Sequence, residues 1–220
     1  ISQGYINSDG NDFLGNTRDG SFEFFEAGIN GFVQPFKRTF ISAQVLSRNT
    51  GDHFVNEEDV VLDYAVFGIN LYNSERTSAS IGFGRVKTPF GLFNDVRDNP
   101  RGRSSVILPQ AFYFEYSRNF AMRTEGFRLE MNHHSDFGDF RFEWIYGSSI
   151  YNEDGHKNDV ITGIRVSTGM DPTTMDFHTD DRSVTRLIYD TPDNSLRLSL
   201  SYFPLNHYYS ASNTLGGVIS

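Results

Sequence analysis

Seven cationic side chains crowd residues 85–123 of this chain: Arg85, Lys87, Arg97, Arg101, Arg103, Arg118 and Arg123, against only Asp95, Asp98 and Glu115. Guanidinium groups present rigid donor forks that hold carboxylate or phosphate oxygens, and a cluster of them raises the local concentration of anions. The chemistry expected here is attraction and retention of anionic groups, without bond making. The contrast with the rest of the chain sharpens the reading. These seven are part of 19 basic residues and the three acids part of 28, so the remainder holds 12 basic and 25 acidic residues. A cationic stretch sits in an anionic protein. Within it Arg97, Arg101 and Arg103 are the strongest candidates for an anion-binding constriction, with Arg85, Lys87 and Arg118 beside them and Asp98 and Glu115 as a counter-row.

Other chemistries find little footing. The chain has no Cys, which removes thiolate nucleophiles and thiolate metal sites, and it has neither a Gly-x-Ser-x-Gly elbow nor a His-Glu-x-x-His pair. His133 and His134 are adjacent, so on a strand they point to opposite faces and cannot share an ion. The acidic runs at 7–12 and 152–159 lack the spacing of a helix–loop–helix calcium site. No metal, no cofactor and no enzymatic activity are expected. A net charge of −9 also argues against nucleic acid as a partner.

The elements that must position the cationic stretch are strands. Residues 21–34 alternate, with Phe25, Ala27, Ile29, Gly31 and Val33 opposite Phe24, Glu26, Gly28 and Asn30. The signal is clearest after the basic stretch. Phe127, Leu129 and Met131 oppose Arg128, Glu130 and Asn132; Phe140, Phe142, Trp144 and Tyr146 oppose Arg141 and Glu143; Leu196, Leu198, Leu200 and Tyr202 oppose Arg197, Ser199 and Ser201. Residues 60–72 are blurred, because Asp63 stands among apolar neighbours of both parities. About nine or ten strands are legible in this way, including a short one at 160–166. The whole chain reads as one all-β antiparallel domain.

Alternation alone permits two folds, since a soluble sandwich turns its charged face to water while a membrane barrel turns it to the lumen. Two features favour the barrel. Tight turns at 35–38, 73–77, 135–138 and 191–195 alternate with long links at 8–20, 49–59, 91–123 and 151–182, which places short links at one end and long links at the other. Composition agrees: 21 Phe and 11 Tyr coexist with a mean hydropathy of −0.43, as expected when half of each strand faces lipid and the other half faces water. Arg128, Glu130, Arg141, Glu143, Arg186 and Arg197 then line the lumen.

The run GRVKTPFGLFNDVRDNPRGRSSVILPQAFYFE, residues 84–115, resembles the strand and constriction-loop signature of bacterial outer-membrane porins, and residues 2–30 are similar to the first strand and loop of those proteins. The resemblance implies a transmembrane β-barrel of about 16 to 18 strands in the bacterial outer membrane, with loop 91–123 folded inward. It also implies a homotrimer, contact with lipopolysaccharide, and passive passage of small hydrophilic solutes with the anion preference of phosphate- and dicarboxylate-selective relatives. With fewer strands legible than such a pore needs, residues 1–220 are expected to be the amino-terminal part of a longer barrel. The rival readings are a soluble or surface β-sandwich that binds an acidic ligand, and an outer-membrane barrel that is plugged and serves adhesion or structure.

Overall fold

The computed structural model describes residues 1–9, 17–49, 60–97, 102, 108, 113, 121–149, 174–204, 207–212 and 218–219. Twelve strands run through them: β1 (Ser2–Gln3), β2 (Phe25–Val33), β3 (Thr39–Asn49), β4 (Val61–Asn73), β5 (Thr77–Lys87), β6 (Arg123–Ser135), β7 (Gly138–Ser149), β8 (Thr174–Thr179), β9 (Arg182–Asp190), β10 (Arg197–Tyr202), β11 (His207–Ser212) and β12 (Val218–Ile219). Nine form one antiparallel sheet in the order β1-β2-β3-β4-β5-β6-β7-β9-β10, and β12-β11-β8 form a second, smaller sheet. Within the nine-stranded sheet each strand pairs with the next in sequence, save that β7 passes over β8 to pair with β9. The tight hairpins β2–β3, β4–β5, β6–β7 and β9–β10 therefore share one end, and the long connections share the other. The expected strand at 160–166 lies outside the described residues. β8 falls inside a stretch whose composition suggests a polar link, because its flanking Asp and Thr residues mask a short alternation.

The polarity of the main sheet is the reverse of a water-soluble layer. On β7, Glu143, Ile145, Gly147 and Ser149 are buried while Phe140 and Tyr146 are exposed. An apolar row crosses five strands in register, Ile41–Phe67–Phe83–Phe127–Tyr146, and four of its five members are exposed. At the margins Ile29 is 76% and Leu200 73% exposed. On the opposite face Glu143 and Arg186 are both 0% exposed. Among the described residues that face holds a small apolar cluster, Val86, Ile145 and Val184 with Val66 and Phe203 packed against them.

Two bulges account for the blurred pattern at 60–72. Gln44 pairs with Tyr64 but Val45 pairs with Leu62, leaving Asp63 as an extra residue; Asn70 pairs with Ser80 but Tyr72 with Ala79, leaving Leu71 as another. Each insertion flips the parity of the residues beyond it. Asp63 is thereby delivered to the buried side. Nearby, Gly84, Gly126 and Gly147 stand in one register row; Gly84 has φ +124°, and a side chain there would strike the Ala65 carbonyl. The row lets the sheet backbone bend where the 88–122 connection leaves and returns.

The β9–β10 hairpin shows how a turn is held. Asn194 adopts φ +54°, and the Asp193 carboxylate accepts hydrogen bonds from the Thr191 hydroxyl at 2.7 Å, the Ser195 hydroxyl at 2.9 Å and the Ser195 amide at 3.3 Å. These donors, Thr191 first, hold its pKa down to about 2. A carboxylate depressed in the folded state contributes stability that is complete above its unfolded value of about 3.9 and is lost as pH falls through about 2. Thr191→Val should move the Asp193 carboxyl titration upward toward the ordinary value by NMR; an unchanged midpoint would refute this account of the turn.

Candidate functional site

The buried face of the sheet is built from charge, and register explains how. Ser80, Glu130, Glu143, Arg186 and Ser201 form one row across β5, β6, β7, β9 and β10. Glu130 and Glu143 stand directly opposite each other, a pairing that repels unless cations intervene. Arg128, in the adjacent row, donates to Glu130 at 2.7 Å and also to Glu143. Arg186 donates from Nε to Glu143 at 2.5 Å and from Nη2 to Asp95. Two carboxylates on the wall and one from the connecting loop thus share two guanidiniums.

Asp95 belongs to the first part of the 88–122 connection, and the same anchor fixes its backbone. Arg186 Nη1 donates to the Gly91 carbonyl at 2.9 Å, and the Gly91 amide donates to Ser201 Oγ at 3.3 Å. The described beginning of the loop therefore lies on the charged face of the sheet. Its neck is closed by hydrogen bonds between its two roots: the Thr88 amide donates to the Met122 carbonyl at 2.9 Å, and Asn94 Nδ2 donates to the Thr88 carbonyl at 2.6 Å and to that of Met122 at 3.2 Å. Arg182, at the start of β9, donates to the hydroxyls of Thr88 and Thr124 at 3.2 and 2.7 Å and to the Arg123 carbonyl. Tyr113 folds back on the loop's beginning, buried, with its hydroxyl accepting from the Phe93 amide at 2.8 Å.

The bulged Asp63 makes a further tie. It meets Lys87 Nζ at 2.9 Å and Arg123 Nη2 at 2.9 Å, while Lys87 also lies 5.4 Å from the centre of the Tyr64 ring. Lys87 and Arg85 share a parity in sequence, but the structure sends them to different partners: Arg85 donates to Glu125 at 2.9 Å and to the Leu62 carbonyl at 3.0 Å. Arg97 is buried at the end of the described turn 91–97. Asp98, Arg101, Arg103, Glu115 and Arg118 lie outside the described residues. Of the wall residues, Arg128, Glu130, Glu143 and Arg186 converge. Arg141 sits one row nearer the tight hairpins, donating to Asn132 at 3.1 Å, and Arg197 pairs with Asp190 at 2.6 Å at the hairpin end.

Sequence reasoning missed Asp95, Asp63 and Arg182 as organisers of the site. Asp63 carried a signal, an acid breaking an apolar alternation in both parities. Asp95 was visible only as one acid among many cations. Among the described residues no three His, Asp or Glu side chains are grouped to hold a metal ion. No protein-family model, no curated protein and no solved structure matches this chain.

Removing Arg186 alone leaves Glu143 buried without its principal partner, a change that costs about 3–5 kcal/mol for a buried pair. Arg186→Met should therefore lower unfolding stability by that order, and Arg186→Met with Glu143→Leu should recover most of it. In both proteins the loop loses its anchor, so limited proteolysis within 88–97 should accelerate; equal cleavage of the double variant and the parent would refute the anchor.

Proposed function

We propose that this chain forms the wall and constriction loop of an outer-membrane porin, through which small hydrophilic solutes diffuse passively. The observation that carries this reading is the inverted sheet. A broad aromatic and aliphatic face stands exposed while the opposite face buries paired charges beneath a loop. Large contiguous apolar surfaces on soluble proteins are rare and mark contact with another apolar phase, and acyl chains supply that phase for a meander whose lumen side stays polar. A soluble sandwich would need a second layer over Phe67, Phe83, Tyr146 and Leu187, and among the described residues nothing covers them. The anion preference is assigned to Arg101 and Arg103, whose guanidiniums would act on solutes passing the loop; Arg97, expected beside them, is buried at the end of the turn 91–97. The homotrimer and the contact with lipopolysaccharide remain parts of the same proposal.

Trp144 gives a direct test because it is the single Trp of the chain. It sits on the aromatic face, its ring 5.2 Å from that of Phe127, with its N–H donating to Ser183 Oγ at 2.8 Å. Reconstitution into vesicles of acyl-chain-brominated lipid should quench its fluorescence strongly, whereas a β-sandwich would show the same emission with and without bromine. In planar bilayers the purified protein should give conductance steps, with a reversal potential favouring anions that weakens when Arg101 and Arg103 are neutralised. A well-folded protein that is quenched but never conducts would overturn the pore in favour of a sealed barrel.

A further inference from the structure

The uncovered face carries a second pattern, which emerges when its residues are placed by register. Alternate side chains of each strand share that face, and on four strands the apolar run between polar flanks has the same length. On β3 it lies between Thr39 and Ser47, on β5 between Thr77 and Arg85, and on β6 between Glu125 and His133. On β9 it lies between Ser183 and Thr191, the latter in the hairpin beyond the strand. Each pair of flanks is eight residues apart, which is about 27 Å of extended chain. Apart from Thr185, the enclosed residues of that parity are aliphatic or aromatic.

The runs do not stand side by side. Ala43, the middle of the run on β3, lies in register through Ala65 with Arg85, the end of the run on β5. Ile81 and Leu129, the middles on β5 and β6, pair directly. Leu129 then pairs through Trp144 with Thr185, two residues short of Leu187, the middle on β9. From β3 to β9 the middle moves six residues toward the tight hairpins, or about 20 Å along the strands. The five strand spacings between them span about 24 Å. The band is therefore inclined to the register rows by about 40°, the inclination of strands in membrane barrels. Its flanks have interfacial chemistry. Arg85 and Glu125 pair at 2.9 Å on the face of Phe83 and Phe127, with Glu125 55% exposed. The Tyr146 hydroxyl donates to Asp181 at 3.3 Å, and toward the hairpins Thr77 and His133 share a hydrogen bond at 2.9 Å.

We propose that the hydrocarbon of a bilayer meets this sheet along that diagonal, with Ala43, Leu129 and Leu187 at its midplane. One headgroup rim runs through Ser47, Arg85, Glu125 and Ser183, and the other through Thr39, Thr77, His133 and Thr191. Inclination by about 40° shortens each run to a slab about 20 Å thick, close to the apolar band of an outer-membrane barrel and suited to a thin bilayer. Arg85, expected at the constriction from its place beside the cationic loop, then stands at headgroup level on the lipid side. Its pair with Glu125 belongs to the seat in the membrane and not to the throat. The inference deepens the membrane reading and rests on it, and it is the same for an open and a sealed barrel.

Tryptophan depth in vesicles decides the matter, with lipids brominated either near the headgroup or near the chain end. Phe67→Trp, Tyr146→Trp and Leu187→Trp are each combined with Trp144→Phe, so that every protein carries a single probe. Phe67 and Tyr146 occupy one register row, whereas Phe67 and Leu187 lie on the diagonal between the rims. The probes at 67 and 187 should be quenched more by the chain-end bromine, and the order of the two lipids should reverse at 146. Like depths at 67 and 146 with a different depth at 187 would mean upright strands and overturn the proposal. A probe reached by neither lipid while the others are quenched would mean that protein covers that strand, and would overturn it as well. No quenching at any position sinks the membrane reading and the seat together, whereas quenching in the wrong order sinks the seat alone. Amide I dichroism of the unaltered protein in oriented bilayers gives the inclination directly and stands even if a variant does not fold. It should read about 40°, and a value below about 20°, well outside the barrel range, would refute the diagonal.

Discussion

Arg186 is the point on which the described structure turns. Its guanidinium, wholly buried, satisfies Glu143 on the neighbouring strand and both the Gly91 carbonyl and the Asp95 carboxylate of the loop. A guanidinium has five donors in one plane, and here they are divided between wall and loop. A Lys at this position, with a compact ammonium on a flexible stem, would bring three donors to one point where the guanidinium spreads five over a rigid plane. This one side chain ties the described beginning of the loop to the charged face. Arg182 and Asp63 secure the loop's two roots, so that its described beginning is fastened at the neck by hydroxyls and ion pairs and over the wall by Arg186.

Such an arrangement makes sense energetically only with the sheet's inverted polarity. Buried ion pairs give back little net stability once the desolvation of both charges is counted, and a face built from them would be outperformed by leucine if compactness were the only requirement. The apolar side chains stand instead on the opposite face, where rows such as Ile41–Phe67–Phe83–Phe127–Tyr146 run in register and remain uncovered. Bulk lipid against that face and polar solutes against the other would set both patterns at once. The ionic rows then act as a positioning lattice, since each carboxylate must find its cation and a slip by one residue in β6 or β7 would turn Glu130 and Glu143 outward.

Much of this was legible in the residues alone. Period-two alternation located β6, β7 and β10 and set Arg128, Glu130, Arg141, Glu143, Arg186 and Arg197 on one face, because a strand's side-chain period is fixed by its backbone. The turn residues located the four tight hairpins. Two kinds of information were not available. Alternation is blind to which face is buried, so the inversion itself needed three-dimensional placement. It also fails at bulges, where Asp63 and Leu71 each shift the phase of β4. The loop's anchors escaped for a related reason: the contacts of Asp95 with Arg186 and of Thr88 with Arg182 span more than 90 residues, and no local pattern encodes a partner that far along the chain.

The cationic character of residues 85–123 also changes meaning once these partners are placed. Lys87 and Arg123 converge on Asp63, and Arg85 meets Glu125, so three of the seven cations are tied to nearby acids at the roots of the connection. A paired cation contributes little to a long-range field, because a carboxylate at close range offsets it. Beside these pairs lies the two-signed cluster of Arg128, Glu130, Glu143, Arg186 and Asp95. Charges of both signs held this close make the face locally dipolar. Such a face acts at short range, on groups that approach its individual pairs, more than through a summed field.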